Sequence, residues 1–168
     1  MSQLTNSLDT PLMVRNGRGR YRPADADQIL EAARQVIEQK MPRGEAFASP
    51  TAVKEYLLAK LAGFEHEVFA VLFLDTKHRL IDYVEMFHGT IDAADVHPRE
   101  VVKQALRLNA AAVIVSHNHP SGGTEPSPGD KAMTSRLRQA LALVDIRMLD
   151  HVIVAGTVAV SFLEHGLL

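Results

Sequence analysis

The chain of 168 residues contains no cysteine. Disulfides, thiolate nucleophiles and sulfur-ligated zinc are therefore excluded, and any metal must be held by His, Asp or Glu. Charge of one sign is not in large excess: the formal net charge is -2. Residues 1–63 carry nine Lys/Arg against seven Asp/Glu, and residues 64–168 carry nine against thirteen. The larger segment thus lacks the net basic character of a nucleic-acid-binding domain. No apolar run approaches transmembrane length, and the start of the chain has no apolar signal region, so no membrane partner is expected and the default location is cytoplasmic. Apolar residues at 46% and charged residues at 23% fit one ordinary globular domain and neither a disordered nor a fibrous chain.

Residues 1–23 are polar and rich in Gly and Arg, and read as a flexible basic arm. Its Arg15, Arg18, Arg20 and Arg22 read as a solvated tail in preference to a phosphate clamp, which leaves nucleic acid a weakly supported partner. Residues 24–49 read as a helical extension, with Ile29, Leu30, Ala33, Val36 and Ile37 on one face of a helix over 24–40 that breaks at Met41-Pro42-Arg43-Gly44. A second helix is predicted over 50–62, with Ser49 as N-cap, Pro50 in its first turn and Gly63 at its end.

From about residue 50 to 168 the pattern is that of one α/β sandwich of mixed sheet and helices. Residues 66–75 form a continuous apolar run, as in a strand buried on both faces. A tight turn leads to a strand over 79–88. An amphipathic helix over 98–109, a buried strand over 111–116, a helix from Ser127 to about Val144 and strands over 147–154 and 157–162 complete the expectation.

The chemistry concentrates in Ser116-His117-Asn118-His119-Pro120-Ser121-Gly122-Gly123-Thr124-Glu125-Pro126-Ser127-Pro128-Gly129-Asp130. Residues i and i+2 of an extended strand project from one face, so His117 and His119 can reach one ion, and Pro120 keeps His119 extended. Asp130 can supply a third ligand from a loop long enough to fold back. Two His and one carboxylate leave a fourth tetrahedral position for water, whose pKa zinc lowers to about 7. The same residues also read without a metal, since Ser127-Pro128-Gly129-Asp130 is a good helix-capping box and a neutral His is often a satisfied core residue. The conjunction of a strand-spaced His pair, a Gly-rich loop and an acidic cap favours the metal.

His-x-His, ten residues and Asp, with Ser three before the Asp, resembles the signature of JAMM/MPN+ metallopeptidases. The string His117-Asn118-His119-Pro120-Ser121-Gly122, then Pro126-Ser127 and Asp130, is similar to the RadC branch of that group, over about residues 50–165. The resemblance implies a JAMM/MPN-type fold with cytidine-deaminase-like α/β architecture and a zinc hydrolase site with His117, His119 and Asp130 as ligands. It implies a glutamate general base before the first core strand. Glu67 fits that place best, with Glu65 and Glu85 as rivals. Ser127 matches the motif serine that acts as an oxyanion donor, and is read equally well as an N-cap. Asp150 and His151 can be read as supports behind the ligands, and read better as a polar pair at a strand edge, outside the site.

The function implied is a zinc-dependent peptidase or isopeptidase acting on a protein or peptide. The alternative is a DNA-repair-associated binding or scaffold module whose metal is structural or vestigial. Longer relatives carry a helix-hairpin-helix region before this domain; the first 49 residues lack its Gly-centred hairpin pattern, so that role is expected to transfer poorly. Phosphodiester hydrolysis fits less well, because nucleases commonly use two metals clamped by several carboxylates and only Asp130 is clearly placed. A zinc deaminase is disfavoured by its need for Cys ligands.

Overall fold

A computed structural model describes residues 11–40, 44, 46–47, 49–90 and 95–168. The break expected at Met41-Pro42-Arg43 and the Ile37 side chain lie outside the described residues. Among those described, a five-stranded mixed sheet carries helices on both faces, the α/β arrangement expected of a JAMM/MPN-type fold.

Residues expected as a loose arm instead form an antiparallel hairpin, β1 (Met13–Arg15) and β2 (Tyr21–Pro23). Its turn is held by the Asn16 carboxamide oxygen, which accepts from the backbone N–H of Arg18 and of Arg20, each at 3.0 Å. Periodicity could not reveal this, because a three-residue strand is too short to alternate visibly.

Helix α1 (Ala26–Lys40) leaves two residues of its apolar face open, Ile29 and Val36 at 39% and 49% exposure. Its grip on the body is local. Arg34 donates to the carbonyls of Lys60 and Ala62 at the end of α2 (Pro50–Leu61) and lies over the Phe64 ring at 5.0 Å. Leu30 presses against Gly63, whose φ of +84° is open to glycine without strain. A side chain there would collide with Leu30.

The strands of the main sheet are β3 (Val68–Leu74), β4 (Leu80–His88), β5 (Ala112–Asn118), β6 (Arg147–Ala155) and β7 (Val158–Ser161), in the order β4-β3-β5-β6-β7. Only β5 and β6 run parallel; the other neighbours are antiparallel. A parallel pair needs a crossover, and α4 (Pro128–Ala142) supplies it. β3 and β5 are buried along their whole length, which is why their sequences read as unbroken apolar runs.

Alternation sorts these strands onto two cores. Val68, Ala70, Leu72 and Leu74 pack with Tyr56, Leu57 and Leu61 of α2. Phe69, Val71 and Phe73 pack with Val101 and Ala105 of α3 (Pro98–Arg107) and with Leu137 and Leu141 of α4. Each fully buried phenylalanine contributes about 1.5–3 kcal/mol. Among the described residues no helix is long and apolar enough to cross a membrane. The two layers leave the carboxyl end of β5 and the start of α4 side by side, where α/β sheets commonly bind ligands.

Candidate metal centre

β5 runs two residues further than its apolar pattern suggests and includes His117 and Asn118. His117 pairs with Phe69 of β3 and faces the α3–α4 layer. His119, just past the strand, keeps its backbone bond to the Val154 carbonyl of β6 at 2.8 Å, so it stays extended and shares that face. The two Nε2 atoms lie 2.9 Å apart.

Asp130 arrives from the first turn of α4. Its Oδ1 is 3.2 Å from His117 Nε2 and its Oδ2 3.6 Å from His119 Nε2. It also completes the capping box: its Oδ2 accepts from the Ser127 N–H and hydroxyl at 2.8 and 2.7 Å, and Ser127 Oγ accepts from the Asp130 N–H at 3.1 Å. Cap and site are therefore one arrangement, and the cap aims the carboxylate at the rings. The single Ser127 proton is given to Asp130, so Ser127 can donate to an oxyanion only by releasing that bond.

Glu67 is buried, with Oε1 3.9 Å from His119 Nε2, and Glu67, His117 and His119 form a group able to hold a metal ion. Asp130 approaches both rings more closely than Glu67 approaches His119. Of the other candidate bases, Glu65 is exposed on the wall of an adjoining cleft, and Glu85 accepts from the Tyr83 hydroxyl at 3.3 Å. The cleft, about 470 Å³ in volume, runs from His119, Pro120 and Ser121 to Gly63, Phe64 and Glu65.

Asn118, pointing the opposite way from its two neighbours, fixes Glu67 from behind. Its Oδ1 accepts from the Val68 N–H at 2.7 Å and its Nδ2 donates to the His66 carbonyl at 2.9 Å. These bonds flank Glu67, whose own N–H donates to the Thr90 carbonyl and whose carbonyl accepts from Gly89.

The expected polar pair at a strand edge, Asp150 and His151, is corrected by the fold. β6 is interior, and alternation sends the two side chains to opposite faces. Asp150 accepts from Ser161 Oγ and the Leu163 N–H, away from the site. His151 is fully buried, with Nε2 2.8 Å from His117 Nδ1 and Nδ1 2.6 Å from Thr134 Oγ1. His151 thus takes the supporting role that ranked second in the sequence, and Thr134, which nothing in the sequence announces, stands behind it.

These contacts fix where protons sit. Thr134 Oγ1 lies 2.6 Å from the Asp130 carbonyl, which can only accept, so the hydroxyl proton goes there. His151 Nδ1 must then donate to Thr134, which leaves His151 Nε2 an acceptor and makes His117 Nδ1 the donor. His117 Nε2 is left with a lone pair facing the site. Likewise the Gly123 carbonyl, 2.6 Å from His119 Nδ1, holds a proton on Nδ1, so the neutral His119 ring carries its lone pair on Nε2. With both rings neutral, two lone pairs and a carboxylate face one point, a donor set able to hold a cation between them.

Electrostatics agree. Burial alone would push the Asp130 carboxyl up, but the His117 and His119 imidazoles beside it and the Ser127 hydroxyl hold it well below the usual carboxylate range. Asp130 in turn raises His119, against the effect of burial. His151 is driven down by burial first and by His117 next, and stays neutral. Imidazole and carboxylate donors suit a divalent transition metal, so the residues fit such an ion.

A protein-family model described as a RadC-like JAB domain matches residues 47–167. The chain is 60% identical over 139 residues to a UPF0758 protein of Vibrio cholerae, covering 83% of this chain and 87% of that one. It is 55% identical over 152 residues to a UPF0758 protein of Methylibium petroleiphilum, covering 90% and 68%. A UPF0758 protein of Xylella fastidiosa is 48% identical over 166 residues, covering 97% and 74%. With its family pattern spanning both core layers and the His117–His119–Asp130 cluster on the α4 side of the sheet, this chain belongs to the RadC-like JAB domain family.

Proposed function

We propose that this protein is a zinc-dependent hydrolase that cleaves an amide or isopeptide bond of a protein or peptide. The observation that carries the proposal is the convergence of His117 Nε2, His119 Nε2 and the Asp130 carboxylate on one point, each ring held from behind by a partner at its Nδ1. His117, His119 and Asp130 would hold the ion, which when bound supplies Lewis acidity and an acidified water. Glu67 is the proton carrier. Its buried Oε1 accepts a proton from the attacking water and returns it to the leaving amine, a role that needs a carboxylate beside the ion and free of its coordination. Asn118 and the Thr90 and Gly89 bonds hold that carboxylate in place, and the cleft beside His119 admits an extended chain.

Metal analysis of the purified, tag-free protein should give about one zinc per chain, lost in His119→Ala. Stoichiometric zinc retained in that variant removes the ligand assignment. Glu67→Gln should keep zinc and lose hydrolysis of a peptide library.

The exposed arginines of the β1–β2 hairpin support a second reading, a binding module for a polyanion with the metal in a structural role. Glu67→Gln separates the two: unchanged cellular phenotypes in that variant favour binding over hydrolysis.

A further inference from the structure

The chain has eight histidines. Three of them, His117, His119 and His151, belong to the centre above. His78 faces Arg147, His97 lies edge-on to Phe87, and His165 contacts the Ser161 carbonyl. That leaves His66, which precedes β3, and His88 at the end of β4, which face each other with Nε2 and Nδ1 3.4 Å apart.

That spacing is long for an N–H hydrogen bond, whose usual range is roughly 2.7–3.2 Å. It matches two nitrogens on one tetrahedral ion, which at about 2.0–2.1 Å from the metal sit about 3.3–3.4 Å from each other. His66 is half-buried against the edge of Phe64, and its main chain is tied down by the Asn118 bond to its carbonyl; His88 is exposed. One imidazole is thus held and the other free to adjust, with solvent open on one side. His88 pairs with Val68, so the two rings stand on the α2 face of the sheet, away from the face that carries His117.

We propose that His66 and His88 form a second, accessory site for a late first-row divalent metal ion such as Zn²⁺, Ni²⁺ or Cu²⁺, the ions that imidazole suits, with the remaining positions taken by water or a carboxylate of a bound molecule. The site cross-links β3 and β4 beside Glu67. His66 precedes Glu67 and His88 precedes Gly89, and the main chains of Glu67 and Gly89 are bonded to each other. An ion there ties together the two strands that present the Glu67 carboxylate. With two protein ligands against three, it binds at least tenfold more weakly than the first ion.

The test is a titration of the metal-free, tag-free full chain with Zn²⁺ and with Cu²⁺. Wild type should take up two ions in two steps. His88→Ala, at an exposed position, should lose the weaker step and keep the tighter one. The double variant His119→Ala/Asp130→Ala should keep the weaker step, with a Cu²⁺ paramagnetic resonance spectrum of two nitrogen donors. A single step in wild type, or two steps in His88→Ala, overturns the proposal. Persistence of the tight step in the His119/Asp130 variant would instead count against the zinc-hydrolase reading and leave this one standing.

Discussion

His151 Nε2 sits 2.8 Å behind His117 Nδ1, and Thr134 Oγ1 sits 2.6 Å behind His151. Through this relay a helix hydroxyl sets which nitrogen of His117 carries the proton. Second partners of this kind are commonly worth 10–100-fold in metal affinity. Thr134→Val, which keeps the shape and removes the hydroxyl, is expected to weaken zinc binding by about tenfold, and His151→Gln by up to about a hundredfold. Competition with a chelator measures both. A heteronuclear NMR spectrum of the metal-free protein reads the His117 tautomer directly, and a proton found on its Nε2 with Nδ1 bare would refute the relay.

Ser127 and Asp130 are bonded to each other three ways, yet their substitutions should separate. Ser127→Ala removes the N-cap and is expected to cost about 1 kcal/mol of stability, or roughly 2–4 °C in melting temperature for a domain of this size, with zinc still bound. Asp130→Asn is expected to lose zinc. Equal zinc loss in both variants would show that Asp130 cannot hold its aim without the Ser127 hydroxyl.

Asn118→Ala deletes one buried and one half-buried bond and strands the Val68 N–H, a loss of about 1–3 kcal/mol. Because Asn118 touches Glu67's neighbours and neither ring, zinc content is expected to stay near one per chain while peptide hydrolysis falls. Activity at the wild-type level in a folded variant would mean that Glu67 needs no such clamp.

Zinc binding should strengthen with pH. His119 is raised, chiefly by Asp130, so as pH falls the metal-free ring takes a second proton, on Nε2, that the ion must displace. Stability from that protonated pair is fully present below the unfolded His value of about 6.5 and is lost as pH rises through the raised folded value. Metal-free protein should therefore lose this contribution on the alkaline side, while zinc affinity climbs by up to about tenfold per pH unit until His119 has titrated. Asp130, held low, is ionised throughout and adds nothing to the slope. Chelator competition at pH 6, 7 and 8 checks this, and a flat affinity would contradict it.

Much of the fold follows from local pattern. The apolar runs of β3 and β5, the Pro-opened helices α2, α3 and α4 and the positions of the remaining strands stand within a few residues of their expected places, because each buries a periodic face. The β1–β2 hairpin escapes such a reading, since its turn depends on the Asn16 side chain in a stretch with no apolar period. The exposed Ile29 and Val36 show the reverse case: α1 has an apolar stripe, yet these two of its residues stay open while Leu30 and Arg34 meet the body.

By itself the sequence determined the chemical inventory: no sulfur, two imidazoles at strand spacing, a capped carboxylate eleven residues on, and a glutamate before the first buried strand. Local rules suffice for these because strand alternation and helix capping act over a few residues. Only the tertiary structure decided that His151 and Thr134 stand behind His117, that Asn118 clamps Glu67 and that His66 meets His88. Each of those contacts joins segments 17 to 52 residues apart through sheet register and crossover packing, and a one-residue slip in register would turn every one of them to the opposite face.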